Sequence, residues 1–346
     1  MKKLFSPTNL LFLLTLIVGS CAKKELPTEI YFTENITIYP ADYFVPDTIE
    51  GQKIVDEMMG GIEFVEGYGL IAANCPRKEK MISIYTVNGD SVGEYCLRGQ
   101  GPNDVFNADV IKFVLAENGD TCLWLNDVSM KALKRLNISL SKREGTSRID
   151  SVIPTEFGAI NACLAGDKLV YEIMDNDAYK LKYRDLSNPS DSLHTDQLYV
   201  YPTEDFYAYY GRYAVSPDNR YLAIAMAYFN QLNIIDLNDM GRCAVSLGNL
   251  KNYIDSYNSD DRSEKFWAYQ GVACSDDRIY AIYTGTDASD DAPERTSTTI
   301  HAINYDGTLD KVYVINDIIR SIAFDNSSKC LLGLDEDDNI IKYHLE

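Results

Sequence analysis

The stretch Tyr213-Ala-Val-Ser-Pro-Asp-Asn-Arg-Tyr-Leu-Ala-Ile-Ala, followed by Gln231-Leu-Asn-Ile-Ile-Asp-Leu, contains two apolar segments around a polar turn, a break, and a third apolar segment. Short runs rich in Val, Ile, Leu and Tyr, closed by Asn, Asp, Gly or Pro, are the pattern of strands joined by tight turns. The phrase returns three times. Gly271-Val-Ala-Cys-Ser-Asp-Asp-Arg-Ile-Tyr-Ala-Ile-Tyr precedes Thr299-Ile-His-Ala-Ile-Asn-Tyr-Asp-Gly. Ile322-Ala-Phe-Asp-Asn-Ser-Ser-Lys-Cys-Leu-Leu-Gly-Leu precedes Asn339-Ile-Ile-Lys-Tyr, and Ala162-Cys-Leu-Ala-Gly-Asp-Lys-Leu-Val-Tyr-Glu precedes Tyr179-Lys-Leu-Lys-Tyr-Arg-Asp-Leu.

Two looser copies lie upstream, over 62–97 and 110–153. Six units, spaced roughly 45 to 60 residues apart and each holding several strands, are the signature of propeller blades. The predicted fold is therefore all-β, a six-bladed β-propeller, with seven blades as the alternative count. The last unit ends at Glu346 one strand short, and the strand-like Ile36-Thr-Ile-Tyr stands alone before the first. A ring leaves no open edge if an early strand completes the last blade. Closure by this N-terminal strand is the expectation, with residues 28–346 as one domain.

The N-terminus has a different character. Lys2 and Lys3 precede an apolar run from Leu10 to Val18, then Gly19, Ser20 and Cys21. Charge, a short apolar run and small residues in this order form an export signal. The run falls short of the roughly 20 residues a membrane-spanning helix needs. Val18-Gly19-Ser20-Cys21 resembles the bacterial lipobox, which implies cleavage of residues 1–20, acylation of Cys21 and a tether over 21–27. The implied partner is the lipid bilayer, and the implied location is the cell envelope, on an outer membrane, facing periplasm or cell surface.

Together, the lipobox, the turn Ser216-Pro217-Asp218-Asn219-Arg220-Tyr221-Leu222-Ala223 and the segment Arg98-Gly99-Gln100-Gly101-Pro102 resemble the TolB-like six-bladed propeller lipoproteins of Gram-negative bacteria. The continuation Asn103-Asp104-Val105-Phe106 matches that pattern only loosely. The resemblance implies fold and location and no particular activity.

A formal net charge of -20 disfavours nucleic acid as a partner, because such a surface repels phosphate backbones. The cysteines beyond Cys21 are Cys75, Cys96, Cys122, Cys163, Cys243, Cys274 and Cys330. They form no CxxC pair and mostly occupy apolar runs, so they read as small buried hydrophobes, with one disulfide left open.

Catalytic patterns are weak. Gly89-Asp90-Ser91-Val92-Gly93 has the spacing of a nucleophile elbow, but it lies between two strand patterns and reads as a hairpin turn. Gly99-Gln100-Gly101-Pro102 lacks the Lys of a phosphate loop and reads as a tight connection whose glycines supply positive φ. His194, His301 and His344 are far apart in sequence. No cofactor is predicted. Calcium is a possible ligand of the acidic turns Asp287-Ala-Ser-Asp-Asp and Asp335-Glu-Asp-Asp-Asn.

Aromatic residues cluster before two blades: Tyr199, Tyr201, Phe206, Tyr207, Tyr209, Tyr210 and Tyr213, then Phe266, Trp267 and Tyr269. Inter-blade connections build a propeller's faces, and aromatic rings there stack on sugars or grip peptides. Tyr201, Phe206, Tyr207, Tyr209, Tyr210, Trp267 and Tyr269 are the expected ligand contacts. Packing between blades is the competing role for these rings. The expected function is that of an envelope binding or scaffold module for a glycan, peptide or protein. The alternative is a channel-centred, lactonase-like hydrolase using a metal ion.

Overall fold

The computed structural model describes residues 32–33, 35–40, 42–56, 64–156, 158–175, 178–187, 196–201, 209–247, 266–287 and 295–345. Six antiparallel sheets follow one another along the chain and form a six-bladed β-propeller. Blade 1 holds β4 (Phe64–Gly67), β5 (Leu70–Asn74), β6 (Lys80–Thr86) and β7 (Ser91–Leu97). Blade 2 holds β8 (Ala108–Leu115), β9 (Thr121–Asp127), β10 (Ala132–Asn137) and β11 (Ile149–Pro154). Blade 3 holds β12 (Ile160–Ala165), β13 (Lys168–Asp175), β14 (Ala178–Asp185) and β15 (Asp196–Val200). Blade 4 is built from β16 (Gly211–Val215), β17 (Tyr221–Met226), β18 (Leu232–Asp236) and β19 (Arg242–Leu247). Blade 5 is built from β20 (Phe266–Cys274), β21 (Arg278–Asp287), β22 (Thr298–Asn304) and β23 (Leu309–Ile315). Blade 6 supplies β24 (Ile319–Asp325), β25 (Cys330–Asp335) and β26 (Ile340–His344).

The second and third strands explain the continuous apolar runs of the sequence. β17 is buried along five of its six residues and β25 along five of six. Each such strand packs on both faces, because neighbouring blades cover both sides, as happens in any sheet sandwiched between layers. Tyr280 of blade 5 stacks on Phe324 of blade 6 at 4.9 Å, and Tyr221 of blade 4 on Tyr305 of blade 5 at 4.4 Å. The outer strand β11 alternates instead, running half-buried, exposed, half-buried along its length.

The closing strand is not the expected one. Blade 6 is completed by β3 (Gly51–Val55), antiparallel to β26 with Ile340 opposite Val55 and Tyr343 opposite Gly51. Ile36–Tyr39 forms β1, which adds in parallel to the outside of blade 4 beside β19, and Asp47–Ile49 forms β2, which adds in parallel to β23 of blade 5. The reason is burial. Ile54 and Val55 of β3 pack with Leu334 and Ile340 of blade 6 and with Ile71 of blade 1. In β1, by contrast, the outer residues Thr37 and Ile38 are exposed. The N-terminal arm thus wraps three blades in turn, and only its third strand shuts the ring.

Two other local readings change. Gly99 and Gly101 do not adopt positive φ. A Cβ at either would sit 2.5 or 2.6 Å from the Asp104 carboxylate, which accepts the Gly101 N–H at 3.0 Å, so these glycines clear space for Asp104. A seven-residue helix, Ile138–Glu144, lies between β10 and β11. Asn137 caps it by accepting the Leu140 N–H at 2.8 Å, and Arg143 pins it to Asp120. The Ser91 motif occupies the β6–β7 hairpin, where Gly89 has φ +93°. The seven cysteines are free: Cys243 is half-buried and the other six are buried.

A polar channel at the blade axis

The first strand of every blade lines one central cavity of about 770 Å³. Each of these strands starts at the face where inter-blade connections arrive and ends at a hairpin on the opposite face. The volume falls within the range of small-ligand pockets. Each blade places at least one polar side chain in the wall: Glu66 on β4, Asp109 and Lys112 on β8, Asn161 on β12, Arg212 and Tyr213 on β16, Gln270 on β20, and Arg320 and Ser321 on β24.

Bulges place several of them. β8, β12 and β24 each slip by one residue against their second strand, and β20 shifts register against β21 twice. The residues left without a direct partner include Asn161, Gln270 and Arg320. An extra residue locally kinks a strand and re-aims its side chain. Asn161 also carries φ +49°, a left-handed conformation that Asn tolerates better than most residues.

At the connection face, Arg320 pairs with Asp338 of the β25–β26 turn, and the Arg212 guanidinium lies 5.2 Å from the Tyr210 ring centre. Arg295, from the β21–β22 loop, donates to the Gln270 side-chain oxygen at 3.1 Å. At the hairpin face, the Lys112 ammonium donates to the Asn219 side chain and, at 3.4 Å, to the Leu164 carbonyl. Burial pulls the Lys112 pKa down. Burial, reinforced by the charge of Asp325, pushes Glu66 up to about 7, although the Gly69 N–H donates to its carboxylate at 3.2 Å.

Beside the channel, between blades 3 and 4, the tyrosine cluster gathers around one carboxylate. Glu172 on β13 is fully buried. One of its oxygens accepts the Tyr201 hydroxyl at 2.8 Å and the Tyr213 hydroxyl; the other accepts Asn161 Nδ2 at 2.7 Å and the Tyr179 hydroxyl. Burial raises the Glu172 pKa and these four donors oppose it. Burial, then the Glu172 charge, lifts Tyr201 and Tyr213 well above the usual phenol value, so both remain donors.

The expected ligand contacts therefore separate by position. Tyr201, Tyr209 and Tyr269 are buried. Tyr209 stacks on Phe229 at 5.5 Å, and the Tyr269 hydroxyl meets His301 Nδ1 at 3.2 Å. Tyr210 lines the channel. Trp267 is 43% exposed, with Tyr228 beside it at 4.9 Å. Phe206, Tyr207, His194 and Cys21 lie outside the described residues. His301, buried and stacked on Tyr283, is pushed down to about 3 by desolvation.

Asp335 turns its carboxylate onto its own loop, accepting the N–H groups of Asp337 and Asn339 and the Asn339 side chain. Among the described residues no three His, Cys, Asp or Glu are grouped to hold a metal. Glu172, Glu66, Arg212, Gln270 and Arg320 were not among the expected site residues. For Glu172 a signal was present, a carboxylate inside the apolar run Leu169-Val-Tyr-Glu-Ile.

No family model and no curated protein matches the chain. Among solved structures, a DUF4221-family member from Bacteroides vulgatus is similar with a TM-score of 0.55 and 11% identity, over 87% of this chain and 97% of that one. A Bacteroides fragilis protein described as exported is similar with a TM-score of 0.52 and 10% identity, over 89% and 98%. At these identities the likeness is one of fold.

Proposed function

We propose that this propeller is a lipid-anchored module of the bacterial envelope, and that it binds a glycan, peptide or protein partner at the connection-face mouth of its channel. The observation that carries the binding reading is the cavity itself: about 770 Å³, walled by all six blades, with polar side chains from each. Tyr210 at the wall and the exposed Trp267 add aromatic faces on the same side of the ring. Such faces stack on sugar rings or on peptide side chains.

The anchoring half rests on the order of charge, apolar run, Gly19, Ser20 and Cys21. A fold shared with a protein described as exported agrees with it. Two or three acyl chains, at about 0.8 kcal/mol per buried CH₂, would hold the protein at the membrane permanently. The finer likeness to the TolB-like lipoproteins belongs to this proposal as well.

The test of binding is a glycan and peptide array probed with the full-length chain in detergent. Specific binding is expected, weakened about tenfold in Tyr210→Ala and Trp267→Ala. Equal binding by both variants would move the seat elsewhere, and an array without specific binders would end the binding reading. For the anchor, Cys21→Ala should shift the protein from the membrane to the soluble fraction; retention on membranes would refute it. A hydrolase reading has one observation in its favour, the Glu66 carboxyl near pKa 7 in the channel wall, a value suited to general acid–base work. Turnover of an array ligand that disappears in Glu66→Gln would establish it.

A further inference from the structure

We propose that the ligand presents a carboxylate to the connection-face end of the channel, between Arg212 of blade 4 and Arg320 of blade 6. This rests on the binding reading above and specifies the ligand's chemistry.

Three features support it. First, the chain carries a formal net charge of -20, yet two guanidinium groups line one end of its central channel, on strands β16 and β24, with β20 between them. A cationic wall inside a low-dielectric funnel concentrates anions even when the outer surface repels them. Second, neutral side chains stand between and beside the two guanidiniums. Gln270 stands on the intervening strand, its amide oxygen held by Arg295 at 3.1 Å, and Asn161 faces the channel from blade 3. Arg295 thereby adds a third guanidinium behind the wall and fixes how the amide is turned. Third, the guanidiniums are held in place. Arg212 lies over the Tyr210 ring, and Arg320 is tied to Asp338 and stands on a bulge. A planar guanidinium presents paired donors that match a carboxylate, and a fixed one loses little freedom on binding it. Asp109 is the opposing carboxylate in the wall, and it makes a bare dianion a poorer fit than a single carboxylate on a larger neutral body.

A carboxylate of this kind can come from a uronic acid or from a peptide C-terminus. Calorimetry on the full-length chain in detergent at low salt would use methyl galacturonoside against its methyl ester, and N-acetyl-tri-alanine against N-acetyl-tri-alanine amide. At least one acid should bind ten times more tightly than its neutral counterpart. The sugar and peptide arms tell the two sources apart.

Arg212→Gln and Arg320→Gln should each abolish most of that preference, with Arg212→Lys restoring part of it. Unchanged melting temperatures would separate loss of the seat from loss of the fold. Acid and neutral probes binding alike, or a preference that survives in both glutamine variants, would overturn the carboxylate assignment while leaving the channel a binding site. Failure of both acids to bind would overturn it too, and the array result would then decide independently whether the channel binds anything.

Discussion

Glu172 and Glu66 are both carboxylates withdrawn from water, and they are treated in opposite ways. Glu172 receives four donors, three of them tyrosine hydroxyls, which satisfy its oxygens without a cation. Glu66 receives one backbone N–H and sits near the negative Asp325, so its pKa rises to about 7. A folded-state pKa above the unfolded value means the folded protein holds the proton more tightly. Its stabilising contribution is complete below about pH 4.5 and is lost as pH rises through 7. Wild type should therefore lose up to about 3 kcal/mol relative to Glu66→Gln between pH 4.5 and 8. Denaturant midpoints of the two proteins across that range check this, and parallel pH profiles would contradict it. The aromatic enrichment of 199–213 was visible in the sequence, but its division of labour was not. Whether a tyrosine faces a ligand or a buried glutamate depends on a partner from another strand, here Glu172 on β13, 29 residues from Tyr201.

Among the elements, β3 and the β6–β7 hairpin form the lock between the last blade and the first. Gly89 at that hairpin has φ +93°, and a Cβ there would lie 1.8 Å from the carbonyl oxygen of Ile54 in β3. Gly89→Ala therefore meets two penalties. The left-handed backbone costs about 1–2 kcal/mol, and the clash pushes the closing strand outward. The expected result is a stability loss of about 2 kcal/mol or more. Amide exchange should accelerate in β3 and β26 while that of blade 3 is unchanged; uniform acceleration would place the strain elsewhere. Legibility followed burial in this part of the molecule. Inner strands such as β17 and β25 are covered on both sides and appear as apolar runs. Outer strands such as β7 and β15 are short or half-exposed and left no comparable mark. The helix Ile138–Glu144 was missed because seven residues hold too little periodicity, and Asn137 as a cap is a signal shared with turns.

At the scale of the whole ring, the N-terminal arm performs two jobs of unequal weight. β1 and β2 widen blades 4 and 5, whereas β3 pairs the end of the chain with its beginning. Removing residues 21–40, and with them β1, should leave a closed ring that melts a few degrees lower. Removing residues 21–56 should leave β26 as an open edge, which favours association. Gel filtration with thermal melts distinguishes the two outcomes. A monomeric, cooperatively folding protein from the longer deletion would show that closure is not what holds the ring.

The repeated strand–turn–strand unit, and with it six blades as the leading count over seven, was legible in the sequence alone. A buried strand and its turn are local objects, set by side-chain pattern over a dozen residues, and repetition makes the pattern readable six times. Which early strand shuts the ring, and which polar residues meet at the axis, were decided only by tertiary structure. An alternating segment states that it is a strand but not which edge it will pair with. Glu66, Arg212, Gln270 and Arg320 come from blades far apart in sequence and converge only because the ring turns every first strand toward one axis.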